Sequence, residues 1–229
     1  MRRLMGGGRS SPIIEGLVTI NEIFYSVQGE SSYAGQPCVF VRLTACDLRC
    51  SWCDTPYAFH EGSKRPLEAV LGEVDRYDCP LVEVTGGEPL LQEAVYPLME
   101  ALLARGKTVL LETGGHRSTA RVPEPVVTIL DVKCPGSGEA DKMDWSNLDR
   151  LRTHDEVKFV IKDRADYEYA RTVVRDRDLA ARAAAVHFSP VHGEMDLRTL
   201  SEWVLADRLP VRVQVQLHKY IWHPSTRGV

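Results

Sequence analysis

Cys46-Asp-Leu-Arg-Cys50-Ser-Trp-Cys53 is the stretch of this sequence that restricts its fold most strongly. It places three cysteines at the spacing C-x3-C-x2-C, with no fourth cysteine or histidine directly behind them. Thiolates grouped in this way favour soft metals, chiefly iron–sulfur clusters and zinc. Three ligands are one too few for a closed zinc site or for a fully ligated four-iron cluster. A four-iron cluster held here would therefore keep one iron open to another molecule.

Two other interpretations of the cysteines compete with the cluster. The chain has six cysteines in 229 residues, and a disulfide framework suits small secreted domains better than a chain of this length without a secretory signal. A zinc site would need a fourth ligand, and the nearest ones, His60 and Cys79, make no familiar zinc-finger spacing. The ligand count favours the open iron–sulfur site.

A second motif follows the cysteines at a short distance. Leu81-Val-Glu-Val-Thr-Gly-Gly-Glu-Pro-Leu-Leu91 is an apolar run that ends in Gly86-Gly87-Glu88-Pro89. The apolar run predicts a strand, and the two glycines allow the backbone to approach a ligand closely. Proline is favoured in the first turn of a helix. The motif therefore predicts a strand, a ligand-binding turn and a helix start.

The two motifs together resemble the radical S-adenosylmethionine (SAM) superfamily, in which the Gly-Gly-Glu element holds the amino group of SAM. Four further segments narrow the resemblance to the 7-carboxy-7-deazaguanine synthase family of the queuosine and deazapurine pathway. These segments are Val27-Gln-Gly-Glu30, Val39-Phe-Val-Arg-Leu43, Asp54-Thr55 and Gln216-Leu-His-Lys-Tyr220. The resemblance extends from about Ile20 to about His223.

The resemblance implies a specific reaction. A 4Fe–4S cluster would bind SAM and cleave it to a 5′-deoxyadenosyl radical, which takes hydrogen from C6 of 6-carboxy-5,6,7,8-tetrahydropterin. Ring contraction and loss of ammonia would then give 7-carboxy-7-deazaguanine, and SAM would be regenerated. The activity expected is that of a carbon–nitrogen lyase that uses SAM, the cluster and Mg²⁺.

The resemblance also implies roles for individual residues. The cluster ligands are Cys46, Cys50 and Cys53. The SAM-binding residues are Trp52, Asp54, Gly86, Gly87, Glu88, Glu112, Thr113, Asp131, Val132, Lys133 and Ser189. The substrate-binding residues are Val27, Gln28, Gly29, Glu30, Arg42, Thr85 and His218. Thr55 is expected to bind Mg²⁺, which needs few protein ligands when water or substrate completes its shell. Without the resemblance, Thr55 reads equally well as a helix N-cap.

The residue types support part of this assignment. Arg42 offers a two-pronged hydrogen-bond donor for a carboxylate. Gln28 and Glu30 offer the donor and acceptor atoms that a pterin ring edge requires. His218 could hydrogen-bond the substrate, but a lone histidine near a strand end equally fits a position in which it hydrogen-bonds only to the protein.

The order of apolar runs predicts an α/β fold with a mostly parallel sheet. Strands are predicted at 18–26, 38–43, 81–85, 108–112, 126–131, 157–161, 186–188 and 211–217, and helices at 66–77, 90–105, 165–175 and 197–206. With fewer helices than strands, in a chain shorter than the usual 250 residues or so of a full barrel, we expect an incomplete TIM-like barrel. The resemblance implies the same radical SAM partial barrel. We expect residues 1–16 to form a flexible tail and residues 17–229 a single domain.

Composition limits the partners. A formal net charge of −4 gives no electrostatic signature for nucleic acid, and no apolar run approaches the length of a membrane span. Unpaired thiols indicate the reducing cytoplasm. The family resemblance adds a small pterin substrate, a reductant such as flavodoxin and a homodimer. Two other functions remain as alternatives: a glycyl-radical activating enzyme, which shares the cysteine spacing, and a non-catalytic zinc or iron–sulfur module.

Overall fold

The computed structural model describes residues 16–229. The tail expected at residues 1–16 lies outside this range except for Gly16. The strands of the described chain are β1 (Leu17–Val27), β2 (Pro37–Leu43), β3 (Ser63–Pro66), β4 (Leu81–Gly86), β5 (Thr108–Thr113), β6 (Val127–Asp131), β7 (Glu156–Ile161), β8 (Ala185–Pro190) and β9 (Arg212–Val213). The helices are α1 (Leu67–Asp75), α2 (Val95–Ala104), α3 (Ser146–Asp149), α4 (Arg164–Asp176), α5 (Leu179–Arg182), α6 (Leu197–Asp207) and α7 (His218–Ile221).

The nine strands form one open sheet in the order β3-β1-β2-β4-β5-β6-β7-β8-β9. Strand β1 pairs antiparallel with β2 and with β3, and every pair from β2–β4 to β8–β9 is parallel. The predicted α/β fold with an incomplete barrel is confirmed, because the sheet does not close on itself.

Two adjoining apolar clusters stabilise the sheet. The first joins β1, β2, β4 and β5 to α1 and α2, and the second joins β7 and β8 to α4 and α6. The side chains alternate in and out, as the side-chain period of a strand requires. In β4, for example, Val82 and Val84 are fully buried among these apolar residues, whereas Glu83 and Thr85 line a cavity on the other face.

Two predicted elements have different bounds. The strand predicted at 211–217 is only Arg212–Val213. Gln214 still donates its backbone N–H to Phe188 of β8 while its side chain binds the backbone of Ser31, and the residues after Gln214 do not pair with β8. The helix predicted at 90–105 begins at Val95, after a short 3-10 turn at Pro89–Leu91. None of the helices among residues 16–229 has the length and apolar character that crossing a membrane requires.

Candidate active site

A cavity of about 610 Å³ lies within the curve of the sheet and reaches the carboxyl ends of the parallel strands. Active sites of α/β barrels form at these strand ends, because the following loops converge there. All of the site residues predicted from the sequence line this cavity except Val132 and Ser189. The fold therefore brings the two sequence motifs and the chain's C-terminal His-Lys element into one place.

The cysteine loop after β2 is fixed from outside by residues that the sequence did not single out. Asp47 binds Nε2 of His116 at 2.6 Å and also pairs with Arg117, both from the segment after β5. The backbone N–H of Arg49 donates to Glu139 at 2.6 Å. These contacts hold the loop in place independently of any metal.

The Gly-Gly-Glu turn packs directly against the start of the cysteine loop. The backbone N–H of Glu88 donates to the carbonyl of Ala45 at 2.8 Å. A Cβ on Gly87 would lie 2.2 Å from the same carbonyl oxygen, so only glycine permits this approach. The fully buried Glu88 carboxylate accepts hydrogen bonds from Leu90 N, Thr113 Oγ1 and Gly114 N. Glu88 therefore ties the ends of β4 and β5 together beneath the cavity.

The cysteines at the cavity fit an iron–sulfur cluster. All three are free and half-buried. Burial raises the pKa of Cys46 to about 11 and also raises that of Cys50, so these two thiols need a metal to stay ionised at neutral pH. Among residues 16–229, no group of three or more histidine, cysteine, aspartate or glutamate side chains converges as the ligands of a single ion would. A four-iron cluster does not need that convergence, because each cysteine binds a different iron.

A buried charge network also lines the cavity. The Lys158 ammonium lies 2.8 Å from Glu30 Oε2, contacts Glu112 Oε1, and lies 3.9 Å from Asp131. Burial acts to lower the pKa of Lys158, but the surrounding carboxylates outweigh it and raise that pKa well above its usual value. Sequence reasoning missed Lys158, although one signal was present: a charged residue inside a parallel strand, where both faces are normally apolar.

Glu83 is the carboxyl of this network without a cationic partner. It is 6 % exposed, and its Oε2 accepts a hydrogen bond from the Gln28 side chain. Burial, followed by the charges of Glu112 and Glu30, raises the pKa of Glu83 to about 8. The folded protein therefore holds a proton on this group at neutral pH.

This raised pKa makes stability depend on pH. Between about pH 4.3, where an unfolded glutamate titrates, and about pH 8, the folded state holds one more proton than the unfolded chain. The stability contributed by that proton is complete below this range and is lost as the pH rises through it. Glu83→Gln removes the titration, so its free energy of unfolding relative to wild type should rise by at least ~1 kcal/mol from pH 5 to pH 8. Anaerobic urea unfolding at both pH values measures the difference, and parallel pH profiles of the two proteins would contradict it.

Arg42 is held ready for an anion. Its Nε donates to Glu22 at 2.7 Å, and Glu22 also accepts a hydrogen bond from the Tyr57 hydroxyl at 2.9 Å. Neither Nη of Arg42 has a hydrogen-bond partner among residues 16–229. Because the guanidinium is oriented by Nε alone, its two-pronged end is free to bind a carboxylate.

The C-terminal segment forms one wall of the cavity. A Cβ on Gly29 would lie 2.1 Å from Nδ1 of His218, so His218 can pack on the 28–30 turn only because residue 29 is glycine. Burial lowers the pKa of His218, against the opposing charge of Glu30. Residues 224–229 also line the cavity, and Arg227 binds Glu61 at 2.8 Å.

Asp54 and Asp131 present acidic groups to the cavity. Burial opposes ionisation of Asp54, but the charge of Lys219, 3.1 Å away, outweighs it and lowers the pKa of Asp54 to about 2. Asp131 Oδ2 lies 2.7 Å from Lys133, whereas Asp131 Oδ1 is buried without a hydrogen-bond partner in the described chain.

Two predicted SAM-binding residues do not reach the cavity wall. The Val132 side chain is fully buried in the second apolar cluster, and its backbone N–H donates to the carbonyl of Lys158. Ser189 is 1 % exposed, and its hydroxyl is buried without a partner among the described residues. Their roles stay predictions.

Comparison with known proteins gives a consistent result. The model of the radical SAM superfamily matches residues 41–135. A 7-carboxy-7-deazaguanine synthase of Koribacter versatilis (strain Ellin345) is 51% identical over 225 residues, which cover 92% of this chain and 99% of that protein. The protein of the same name from Chlorobaculum tepidum is 44% identical over 218 residues, with coverage of 94% and 99%. The crystal structure of QueE from Escherichia coli has the same fold, with a TM-score of 0.71 over 88% of this chain and 95% of that chain, at 23% identity.

Proposed function

The chain belongs to the 7-carboxy-7-deazaguanine synthase family within the radical SAM superfamily, and from this premise we propose that it converts 6-carboxy-5,6,7,8-tetrahydropterin to 7-carboxy-7-deazaguanine with loss of ammonia. The observation that carries the proposal is the pairing of this family relationship with one cavity. That cavity has three free cysteines at one part and a carboxylate-binding arginine with a buried glutamate network at another.

The cofactors follow from the superfamily, whose members use a 4Fe–4S cluster and SAM. When bound, the pair supplies the one-electron chemistry that yields a hydrogen-abstracting radical. Cys46, Cys50 and Cys53 would hold the cluster. The Gly86–Glu88 turn packs against the cysteine loop and would place SAM beside it. Asp131 and Lys133, which pair at 2.7 Å and line the cavity, would supply an acceptor and a donor for the rest of SAM.

The substrate would be held by the other residues of the cavity. The free Nη atoms of Arg42 would bind the carboxylate of the pterin, and His218 would contact the ring from the C-terminal segment. The Gln28 amide donates to Glu83 and accepts from the backbone N–H of Glu30, and its second N–H would be available to the pterin edge. Glu30, through its bond to Lys158, would help to fix the charge around the ring.

Mg²⁺ is assigned to Thr55. This residue occupies the N-cap position of the 3-10 turn Pro56–Phe59, yet its side chain makes no capping hydrogen bond. Its hydroxyl therefore remains available at the cavity wall. One protein oxygen is enough when substrate oxygens and water complete the octahedral shell of Mg²⁺.

Thr55→Ala should weaken the response to Mg²⁺, because it deletes the only side-chain oxygen of this residue. We expect the Mg²⁺ concentration for half-maximal product formation to rise by roughly tenfold or more, in line with the effect of altering groups that support a metal. Thr55→Ser retains the hydroxyl and is expected to behave like the wild type. An unchanged Mg²⁺ titration curve in Thr55→Ala would remove the metal assignment.

The cysteines and the sheet edges bear on the compartment and the partners of the protein. All six cysteines are free, which favours the reducing cytoplasm. The sheet has open edges at β3 and β9, and a second copy of the chain covering one flank would give a homodimer. A one-electron reductant, for which the family suggests flavodoxin, would supply the electron that reduces the cluster. The mass of the protein in solution tests the dimer.

The alternatives have less support. A glycyl-radical activating enzyme needs a groove for a protein loop, whereas the carboxylate-binding and glutamate residues here suit a small anionic substrate. A non-catalytic metal module would leave the buried network around Lys158 without a purpose. Anaerobic incubation of the reduced, cluster-loaded protein with SAM, Mg²⁺ and the pterin tests the choice. Deazaguanine product supports the proposal, and SAM cleavage without that product would retain only the superfamily.

A further inference from the structure

Glu83 lies among the residues expected to bind the substrate, although neither the motifs nor the comparisons give it a role. It is in the middle of β4, two residues before Thr85, and its side chain faces the cavity. A buried carboxyl with no ion-pair partner costs free energy. Such a group is therefore a candidate for a function.

The hydrogen bonds of the three neighbouring glutamates distinguish Glu83. Glu30 uses one oxygen on Gln216 and the other on Lys158. Glu112 uses one on Lys158 and the other on Thr85. Glu83 uses only Oε2, for Gln28, and its Oε1 has no hydrogen-bond partner among residues 16–229. The surrounding protein does not fully enclose Oε1, so this oxygen is open to the cavity that Glu83 lines.

The sheet places Glu83 at a fixed offset from the arginine that would bind the substrate carboxylate. In the β2–β4 ladder, Phe40 is the register partner of Glu83, and Arg42 is the partner of Thr85. One two-residue step, about 6.6 Å along a parallel strand, therefore separates the Arg42 level from the Glu83 level. Phe40 stacks on Phe24 with ring centroids 4.8 Å apart, and both rings line the cavity. They form an apolar wall beside Glu83 that suits a flat ring.

The chemistry of a 6-carboxypterin matches this layout. Its carboxylate is at one end of the bicyclic ring, and its N3–H and 2-amino group are at the other end, as two adjacent hydrogen-bond donors. An ionised carboxylate accepts such a pair of donors with its two oxygens. Because hydrogen bonds from these donors favour the ionised form, Glu83, which is protonated in the free protein at neutral pH, would release its proton when the pterin binds. We propose that Glu83 is a specificity-determining residue that binds the N3–H and 2-amino edge of the pterin while Arg42 binds its carboxylate. This assignment rests on the function proposed above.

The test compares two ligands on two proteins. Anaerobic titration calorimetry of the cluster-loaded protein with SAM and without reductant gives the Kd of 6-carboxytetrahydropterin and of its 2-deamino analogue. Wild type should prefer the 2-amino compound. In Glu83→Gln the Kd of the 2-amino compound should rise roughly 10–100-fold, as expected for losing hydrogen bonds to a charged group, and the preference between the two ligands should nearly vanish. Glu93→Gln, an exposed carboxylate outside the cavity, serves as the matched control, and the Kd of SAM should not change in either variant.

The outcomes separate the two proposals. If wild type makes deazaguanine and Glu83→Gln binds the pterin within about threefold of wild type, the Glu83 assignment is overturned and the function stands. If Glu83→Gln weakens both ligands equally and keeps the preference, Glu83 acts only by shaping the pocket through Gln28, and the assignment is again overturned. If wild type neither binds the pterin nor makes the product, the proposed function and the Glu83 assignment fall together.

Discussion

Cys50→Ala is expected to reduce both SAM cleavage and deazaguanine formation to background. Three thiolates hold three of the four irons and leave one iron open. Loss of one thiolate should therefore prevent the cluster from forming or from staying attached. The loop itself should keep its shape, because two contacts outside the cavity anchor it: Asp47 binds the His116 side chain, and the Arg49 backbone N–H donates to the Glu139 side chain. Iron content and the visible absorption spectrum after anaerobic reconstitution measure the first step, and 5′-deoxyadenosine measures the second.

Cys79→Ala is the matched control for this experiment. Cys79 is 4 % exposed, lies before β4, and donates to the carbonyls of Pro37 and Leu81 away from the cavity. We expect this variant to bind a full cluster and to lose only about 1 kcal/mol of stability, as is typical of point substitutions. The cluster assignment would be excluded if Cys50→Ala kept the wild-type iron content and SAM cleavage. It would also be excluded if the wild-type protein bound one zinc ion per chain.

Lys158→Met should be the most destabilising single substitution in the cavity. It removes the cation between Glu30 and Glu112 and leaves two carboxylates close together without compensation. Removing one partner of a buried ion pair typically costs 3–5 kcal/mol, and we expect about 3 kcal/mol here, because the Glu112 side chain retains 29% exposure. Urea unfolding of the cluster-loaded protein measures the loss.

The pH dependence of this loss identifies its cause. In the wild type the charge of Lys158 outweighs burial and lowers the pKa of Glu30; without Lys158, burial would raise that pKa above its value in the unfolded chain. The variant should therefore approach wild-type stability at low pH and lose stability as the pH rises. Lys162→Met, which breaks only an exposed pair with Glu194, should cost less than about 1 kcal/mol. A Lys158→Met variant that unfolds like Lys162→Met at pH 8 would show that the network contributes nothing to stability.

The sequence predicted the location of the site better than its internal contacts. The cysteine spacing and the polar steps at 85–88, 112–113 and 131–133 are local patterns, and parallel strands necessarily bring their ends to one edge. This is why nearly every predicted residue lines the cavity. The same reasoning placed Val132 and Ser189 at strand ends, but it could not tell which way those side chains face.

The contacts of Lys158 and Glu83 could not be predicted from the sequence, because their partners are far away along the chain. Lys158 is 128 positions from Glu30 in the chain, and Glu83 is 55 positions from Gln28. Each lies inside a strand that reads as apolar overall, so only the register of the sheet shows that both face the same cavity. The contact expected between the Gln28 amide and the pterin stays a prediction, to which the structure adds the hydrogen bond from Gln28 to Glu83.

Isotope transfer tests the central claim most directly. The reduced, cluster-loaded protein would be given SAM, Mg²⁺ and 6-carboxytetrahydropterin carrying deuterium at C6, and both SAM and product would be followed by mass. Our account predicts 7-carboxy-7-deazaguanine together with deuterium in the recovered SAM or its 5′-deoxyadenosine, because the hydrogen taken from C6 passes through the SAM-derived radical. Product formed while SAM and 5′-deoxyadenosine stay free of deuterium, or no product from protein with an intact cluster, would contradict it.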